Sequence, residues 1–248
     1  MDSTHIAIAK PDYGVDAPKV MRNIFLFGGL SLVLFFVSPR VFHIGPVALQ
    51  LHGMFGGLGV FLLAEGFLFL LYVKFGKFRH RDFMLSMHAW HGDEKVLDVG
   101  CGRGLLLAGV AKRLISGHAM GIDIWSNEDM GGNSAEATQN NLEIEGIASV
   151  CTLVSAGAQE MPFPDASFGL VVSNLCLHNI YDKTTRRLAL VEIARVLKPG
   201  GLALLSDYKL TGEYAAALRE MGFGVEMRWG SFATTFPPLR VVIARKPA

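Results

Sequence analysis

The first 80 residues and the rest of the chain follow different patterns of apolar and polar positions. From Ile24 to Val37 only Ser31 interrupts an apolar run. A second run, Val47 to Val73, is interrupted by Gln50, His52 and Glu65. Both runs are apolar on all faces, whereas a helix on a soluble core carries one apolar stripe. The second run spans about 40 Å as a helix, enough to cross a hydrocarbon core of about 30 Å with tilt. The first spans only about 21 Å. It either extends through Met21 and toward Phe42, or belongs to a hairpin that does not fully cross. The alternative is a buried helical hairpin in a soluble protein. The late start of the first run and the lack of a small-residue cleavage pattern argue against a signal peptide.

Beyond residue 77 the pattern alternates. A helix is expected over 78–91, leading out of the apolar region. Short apolar strands are expected near 95–99, 119–124, 149–155, 168–174 and 201–207, and helices near 103–115, 133–145, 183–197 and 212–221. Such alternation predicts a parallel sheet with helices on both faces. Phe223 to Arg228 and Leu239 to Ala244 read as a closing hairpin. The first 20 residues are polar and carry Pro11, Gly14 and Pro18. They are a flexible arm, a lid or a disordered terminus. The chain therefore divides into an arm (1–20), an apolar hairpin (21–77) and an α/β domain (78–248).

Charge orients the hairpin. Lys10, Lys19 and Arg22 precede the first run, and Lys74, Lys77, Arg79 and Arg81 follow the second. The connection Ser38–Pro46 holds only Arg40, so both ends are expected on the cytoplasmic side. Glycines at 28, 29, 53, 56, 57 and 59 would let helices approach closely, and Gly53-x-x-x-Gly57 has the spacing of a packing motif. Whether it joins two helices of one chain or two copies in a homo-oligomer stays open. An acid within a spanning helix is costly. Glu65 is thus expected to line a cavity, to pair with His52 or Arg40, or to make a helix-packing hydrogen bond. A net charge of +1 over 248 residues argues against a nucleic-acid partner. Cys101, Cys151 and Cys176 lack metal-ligand spacing and read as reduced thiols, so no metal is expected.

The chemistry-bearing signal is Val96-Leu-Asp-Val-Gly-Cys-Gly-Arg-Gly104. An apolar strand breaks into a glycine turn. About 20 residues later a second strand ends on Asp123, where an α/β nucleotide fold places its ribose hydroxyl acceptor. The dinucleotide pattern G-x-G-x-x-G fails, because position 105 is leucine. The G-x-G-x-G spacing, with Asp98 in the preceding strand, resembles the first motif of class I S-adenosylmethionine (SAM) methyltransferases. Met161-Pro-Phe-Pro-Asp-Ala-Ser-Phe168 resembles that family's segment before its fourth strand. Val196-Leu-Lys-Pro-Gly-Gly201 resembles its turn into the fifth. The resemblance covers most of residues 90–247.

The resemblance implies a Rossmann-like seven-stranded sheet with an antiparallel last strand, preceded here by two transmembrane helices. It implies SAM as cofactor. Asp98 would orient the glycine loop or meet the methionine ammonium through water. Gly100, Cys101, Gly102 and Gly104 would shape the loop, with backbone amides of Gly100 and Gly102 brought to the cofactor. Asp123 would accept the ribose hydroxyls, and Ile124 or Trp125 would pack on the adenine. Gly157 stands where the family often has an acid that meets the adenine, so a backbone group near Ala158 or the Gln159 side chain would substitute. Gly169 replaces an aspartate usual after the phenylalanine of the fourth strand. Asn174 and His178, with Asn179 behind them, would meet cofactor or acceptor. His178 is a candidate general base or a packing residue. Asp207 and Tyr208 would face the acceptor.

The expected protein is an integral membrane methyltransferase with a cytoplasmic catalytic domain, acting on a lipophilic small molecule. A quinone or phenol, a lipid headgroup amine and a hydrophobic thiol stay open. The alternatives are a tethered methyltransferase of a soluble molecule, and a SAM-binding scaffold or sensor without turnover. Membrane lipids are expected partners in each case.

Overall fold

The computed structural model describes residues 10–127 and 130–248. Residues 1–9, part of the expected arm, lie outside the described residues. Helix α1 (Pro18–Val37) begins with proline in its first turn, a position where the missing N–H costs nothing. Its 20 residues reach about 30 Å, so the first run does extend, through Met21 to Pro18. A short exposed hairpin, β1 (Phe42–Ile44) and β2 (Val47–Leu49), joins it to α2 (Leu51–Leu71). The start of the second run, Val47–Leu49, is therefore strand and not helix. A π-helical turn, Tyr72–Gly76, carries α2 without a break into α3 (Lys77–Leu85).

Helices α1 and α2 are long and apolar enough to cross a membrane. Their most apolar windows are only 11% and 17% buried, which is not the environment of a core helix. The glycines that seat one helix on the other are Gly28 against Leu63, Gly56 against Phe35, Gly59 against Leu32 and Gly66 against Phe25. A Cβ at Gly29, Gly53 or Gly57 would meet nothing within 4 Å, so the Gly53/Gly57 spacing does not pack this hairpin. Glu65 makes no ion pair with His52 or Arg40 among the described residues. On one helix, Glu65 and His52 stand about 20 Å apart. The His52 ring instead packs on Phe35, centroids 4.2 Å apart.

The sheet runs β5-β4-β3-β6-β7-β9-β8. Its strands are β3 (Lys95–Val99), β4 (His118–Asp123), β5 (Cys151–Ser155), β6 (Phe168–Asn174), β7 (Leu197–Asp207), β8 (Gly224–Trp229) and β9 (Arg240–Arg245). Strands β3 to β7 are mutually parallel, and β9 is antiparallel to both β7 and β8. The remaining helices are α4 (Leu105–Ala111), α5 (Ala135–Ile144), α6 (Lys183–Val196) and α7 (Thr211–Glu220). Alternate strand residues feed opposite cores, as the two-residue period demands. Leu97, Val171 and Ala203 pack with α6 and α7, while Val96, Leu170, Val172 and Leu204 pack with α3, α4 and α5. The order reverses at β3/β6, so a crevice opens beyond their carboxyl ends, where ligands bind in open α/β sheets.

Residues 10–17 are not a loose terminus. They form a strap over that crevice. The backbone N–H of Asp12 donates to Asn141 Oδ1 at 2.9 Å, and Asn141 Nδ2 donates back to Asp12 O at 2.8 Å. The Tyr13 hydroxyl donates to Glu145 at 2.7 Å, and Arg103 pairs with Asp12 at 2.9 Å. Lys77 anchors the strap. It is buried, and its ammonium donates to Tyr13 O at 2.9 Å and Gly14 O at 2.6 Å.

Candidate functional site

A cavity of about 650 Å³ lies at the carboxyl ends of β3, β4 and β6, roofed by the strap. It is lined by Asp98, Gly100, Cys101, Gly102, Asp123, Ile124, Ala158, Gln159, Asn174, His178 and Tyr208. These are most of the residues that the sequence marks. The same cavity continues to Val20 and Ile24 of α1 and to Phe69 and Tyr72 at the end of α2.

The glycine loop contributes space more than donors. Gly100 has φ 72°, and a Cβ there would collide with Cys176. The amides of Gly100 and Cys101 donate to Ile122 O at 2.8 and 3.0 Å, and that of Gly102 donates to Asp123 Oδ2 at 2.8 Å. Hence neither glycine offers a free amide to the cavity. Gly104 (φ 86°) starts α4 and packs near Thr138, off the cavity wall. Burial raises the thiols of Cys101 and Cys176, so both stay protonated and inert.

Asp123 ends β4 with its Oδ1 taking the Trp125 amide at 2.7 Å and Asn133 Nδ2 at 3.2 Å. The carboxylate is thus fixed at the crevice by its own loop. Ile124 lines the cavity, but Trp125 does not: its indole N–H donates to Ser155 at 2.7 Å, drawing the ring toward β5. Gln159 folds back over Gly157, where an added Cβ would lie 2.5 Å from Gln159 Nε2. The amide therefore occupies the space that an acidic side chain at 157 would enter.

Asp98 is 1% exposed, and neither carboxylate oxygen has a hydrogen-bond partner. Its pKa is pushed up to about 8, first by desolvation and then by Asp123. A buried carboxyl without a partner calls for a cationic or donor group from a ligand.

At the end of β7, Asp207 is 1% exposed and does not line the cavity. It accepts the amides of His178 and Tyr208 at 3.2 and 2.9 Å and the Tyr214 hydroxyl at 3.1 Å. His178 Nδ1 lies 2.8 Å from Asp207 Oδ1, off line for a ring N–H bond. Asp207 is therefore a positioning residue, because its oxygens are spent holding the His178 segment in place. The Tyr208 ring meets His178 edge-on at 4.8 Å and does face the cavity. Sequence reasoning missed Asp16, Tyr72, Lys77, Met130 and Asn133, which also line it. No motif marks them. Only the strap and the helix junction bring them in.

This sheet order and this glycine crevice define a class I SAM-dependent methyltransferase domain. The family described as a methyltransferase domain matches residues 97–205 of this chain. An uncharacterized protein of Haemophilus influenzae is 31% identical over 131 residues, covering 53% of this chain and 49% of that one. The ubiquinone/menaquinone biosynthesis C-methyltransferase UbiE of Vibrio vulnificus is 36% identical over 117 residues, covering 46% of this chain and 41% of its own. The match thus spans half or less of the length of both relatives. A solved SAM-dependent methyltransferase of Methanosarcina mazei superposes with a TM-score of 0.54 at 18% identity, over 66% of this chain and 97% of that one. At that identity it shows the fold.

SAM is the cofactor of this family, and the residues present fit it. The unpartnered Asp98 carboxyl suits the methionine ammonium, Asp123 suits the ribose hydroxyls, and the Gln159 amide suits the edge of an adenine.

Proposed function

We propose that this protein is a SAM-dependent methyltransferase, held in a membrane by α1 and α2 with its catalytic domain cytoplasmic, that modifies a lipophilic small molecule. The observation that carries the reading is the continuity of one cavity from Asp98 and Asp123 to Val20, Ile24 and Phe69 on the apolar helices. A soluble acceptor would need no such apolar extension. The name of the Vibrio relative, a C-methyltransferase of quinone biosynthesis, supports an acceptor of that physical kind.

When bound, SAM supplies a methyl group activated on a sulfonium. Asp98, Asp123 and Gln159 fix where that group sits. His178, steadied by Asp207, stands at the edge where the acceptor must approach. Alignment of the two reactants contributes several kcal/mol of such a reaction.

The test is mass spectrometry of membrane extracts incubated with labelled SAM, with and without the protein. A labelled lipophilic product is expected. Label found only in water-soluble products would favour a tether, and SAM binding without any transfer would favour a scaffold. A carbonate wash provides the companion measurement: release of the full chain into the soluble fraction would defeat the membrane assignment.

A further inference from the structure

The deep end of the cavity carries polar groups that the cofactor assignment leaves unused. Asp16 comes from the strap, Tyr72 from the π-helical turn and Asn174 from the last position of β6. All three line the cavity. Asp16 Oδ2, Tyr72 Oη and Asn174 Oδ1 are each buried without a hydrogen-bond partner. The Asn174 side chain comes close to the Tyr72 hydroxyl without meeting hydrogen-bond geometry, and the charge of Asp16 also reaches it. Tyr72 is 3% exposed, so solvent does not satisfy it. Three orphaned polar atoms from three separate elements, converging on one cavity wall, call for a ligand that pairs with them.

We propose that Asp16, Tyr72 and Asn174 form the subsite for the polar head of the methyl acceptor, and that this head is neutral and carries a hydroxyl, as in a phenol. The inference rests on the lipophilic-acceptor reading above. The chemistry of the atoms selects the head. Asp16 Oδ2 and Asn174 Oδ1 present lone pairs, and the Tyr72 hydroxyl both donates and accepts. A head with an O–H donor and an oxygen lone pair satisfies the set. A head that only accepts, such as an aryl ether or a fully oxidised quinone, can take the Tyr72 O–H but leaves Asp16 Oδ2 and Asn174 Oδ1 facing lone pairs. Charge narrows the choice further. Lys77 Nζ lies 3.9 Å from Asp16 Oδ2, so the carboxylate already has its countercharge. An ammonium head would add an unbalanced positive charge beside a buried lysine. The apolar remainder of the acceptor runs from this subsite along Val20, Ile24 and Phe69.

The test uses the full chain in phosphatidylethanolamine/phosphatidylglycerol nanodiscs, saturated with S-adenosylhomocysteine. Tritiated 4-nonylphenol is the probe, displaced by unlabelled 4-nonylphenol, by its methyl ether or by nonylamine. A site built to pair a hydroxyl rejects the analogue lacking it, so the phenol should compete at least about tenfold better than the other two. Tyr72→Phe keeps the ring and should cut that preference to about threefold or less while leaving S-adenosylhomocysteine affinity intact. Asn174→Leu, of similar size, should also cut the preference to about threefold or less. Equal competition by all three compounds, or full preference in both variants, overturns the subsite but leaves a lipophilic acceptor standing. Absence of saturable nonylphenol binding while S-adenosylhomocysteine still binds overturns both. Loss of S-adenosylhomocysteine binding by the unaltered protein would strike at the methyltransferase reading itself.

Discussion

Asp98 on β3 and Asp123 on the neighbouring β4 oppose each other's charge at the mouth of the glycine loop. Together with burial, this holds the Asp98 carboxyl protonated up to about pH 8. An unfolded aspartate titrates near about 4. Between those values the folded protein binds the extra proton, so this group's contribution to stability falls as pH rises through the window. An ammonium placed beside Asp98 reverses the preference and favours the carboxylate. Binding of S-adenosylhomocysteine near pH 7 should therefore release on the order of one proton. Calorimetry in two buffers of different ionisation enthalpy reads that release. Asp98→Asn should abolish it, and identical enthalpies for the unaltered protein would refute the ammonium assignment.

Asp123 holds the Gly102 amide, and the proposed function gives it a second duty, presenting oxygen to the ribose. Asp123→Ala removes both, and cofactor affinity should fall by tenfold or more, about 1.4 kcal/mol at least. Asp123→Asn keeps an acceptor for Gly102 and should recover part of the loss. Full-strength binding by the alanine variant would remove Asp123 from the cofactor site.

The close approach of Gly100 to Cys176 makes a steric prediction. Gly100→Ala places a methyl group against Cys176 at a φ of 72°. Such a change should cost about 2 kcal/mol or more, a Tm loss of several degrees. Cys176→Gly in the same chain should return part of it, because the colliding atoms are gone. A thermal melt in which the two changes simply add would show that the strain lies in the backbone alone.

The α/β domain was legible because its central strands are apolar runs, β3 breaking into Gly100 and β4 ending on Asp123. Strands expected at 95–99 and 168–174 are observed there. The apolar hairpin was legible in kind but less so in extent. Lys19, Arg22 and Asn23 disguise the first turns of α1, while the apolar Val47–Leu49 reads as helix yet pairs with Phe42–Ile44. Residues that act over distance were hidden. Asp207 lies on the expected strand edge, but only the fold shows it turned to the amides of His178 and Tyr208. Trp125 follows Asp123 directly, and its bond to Ser155 on another strand decides its direction. The strap has no periodicity at all. Its order depends on Arg103, Asn141 and Glu145, far along the chain.

That strap gives the last prediction. Tyr13 is 6% exposed and lines the cavity, and its hydroxyl reaches Glu145 at the C-terminal end of α5. The strap touches neither sheet core, so weakening it should open the cofactor site without unfolding the domain. Tyr13→Phe removes one hydrogen bond, worth about 1 kcal/mol, and should speed S-adenosylhomocysteine release about fivefold. Tyr13→Ala also removes the buried ring and should speed release by more than about tenfold. Stopped-flow displacement measures both rates, and a thermal melt of the bare protein should move little for either variant. If release is unchanged while the melt drops by many degrees, Tyr13 supports the fold and the strap does not close the site.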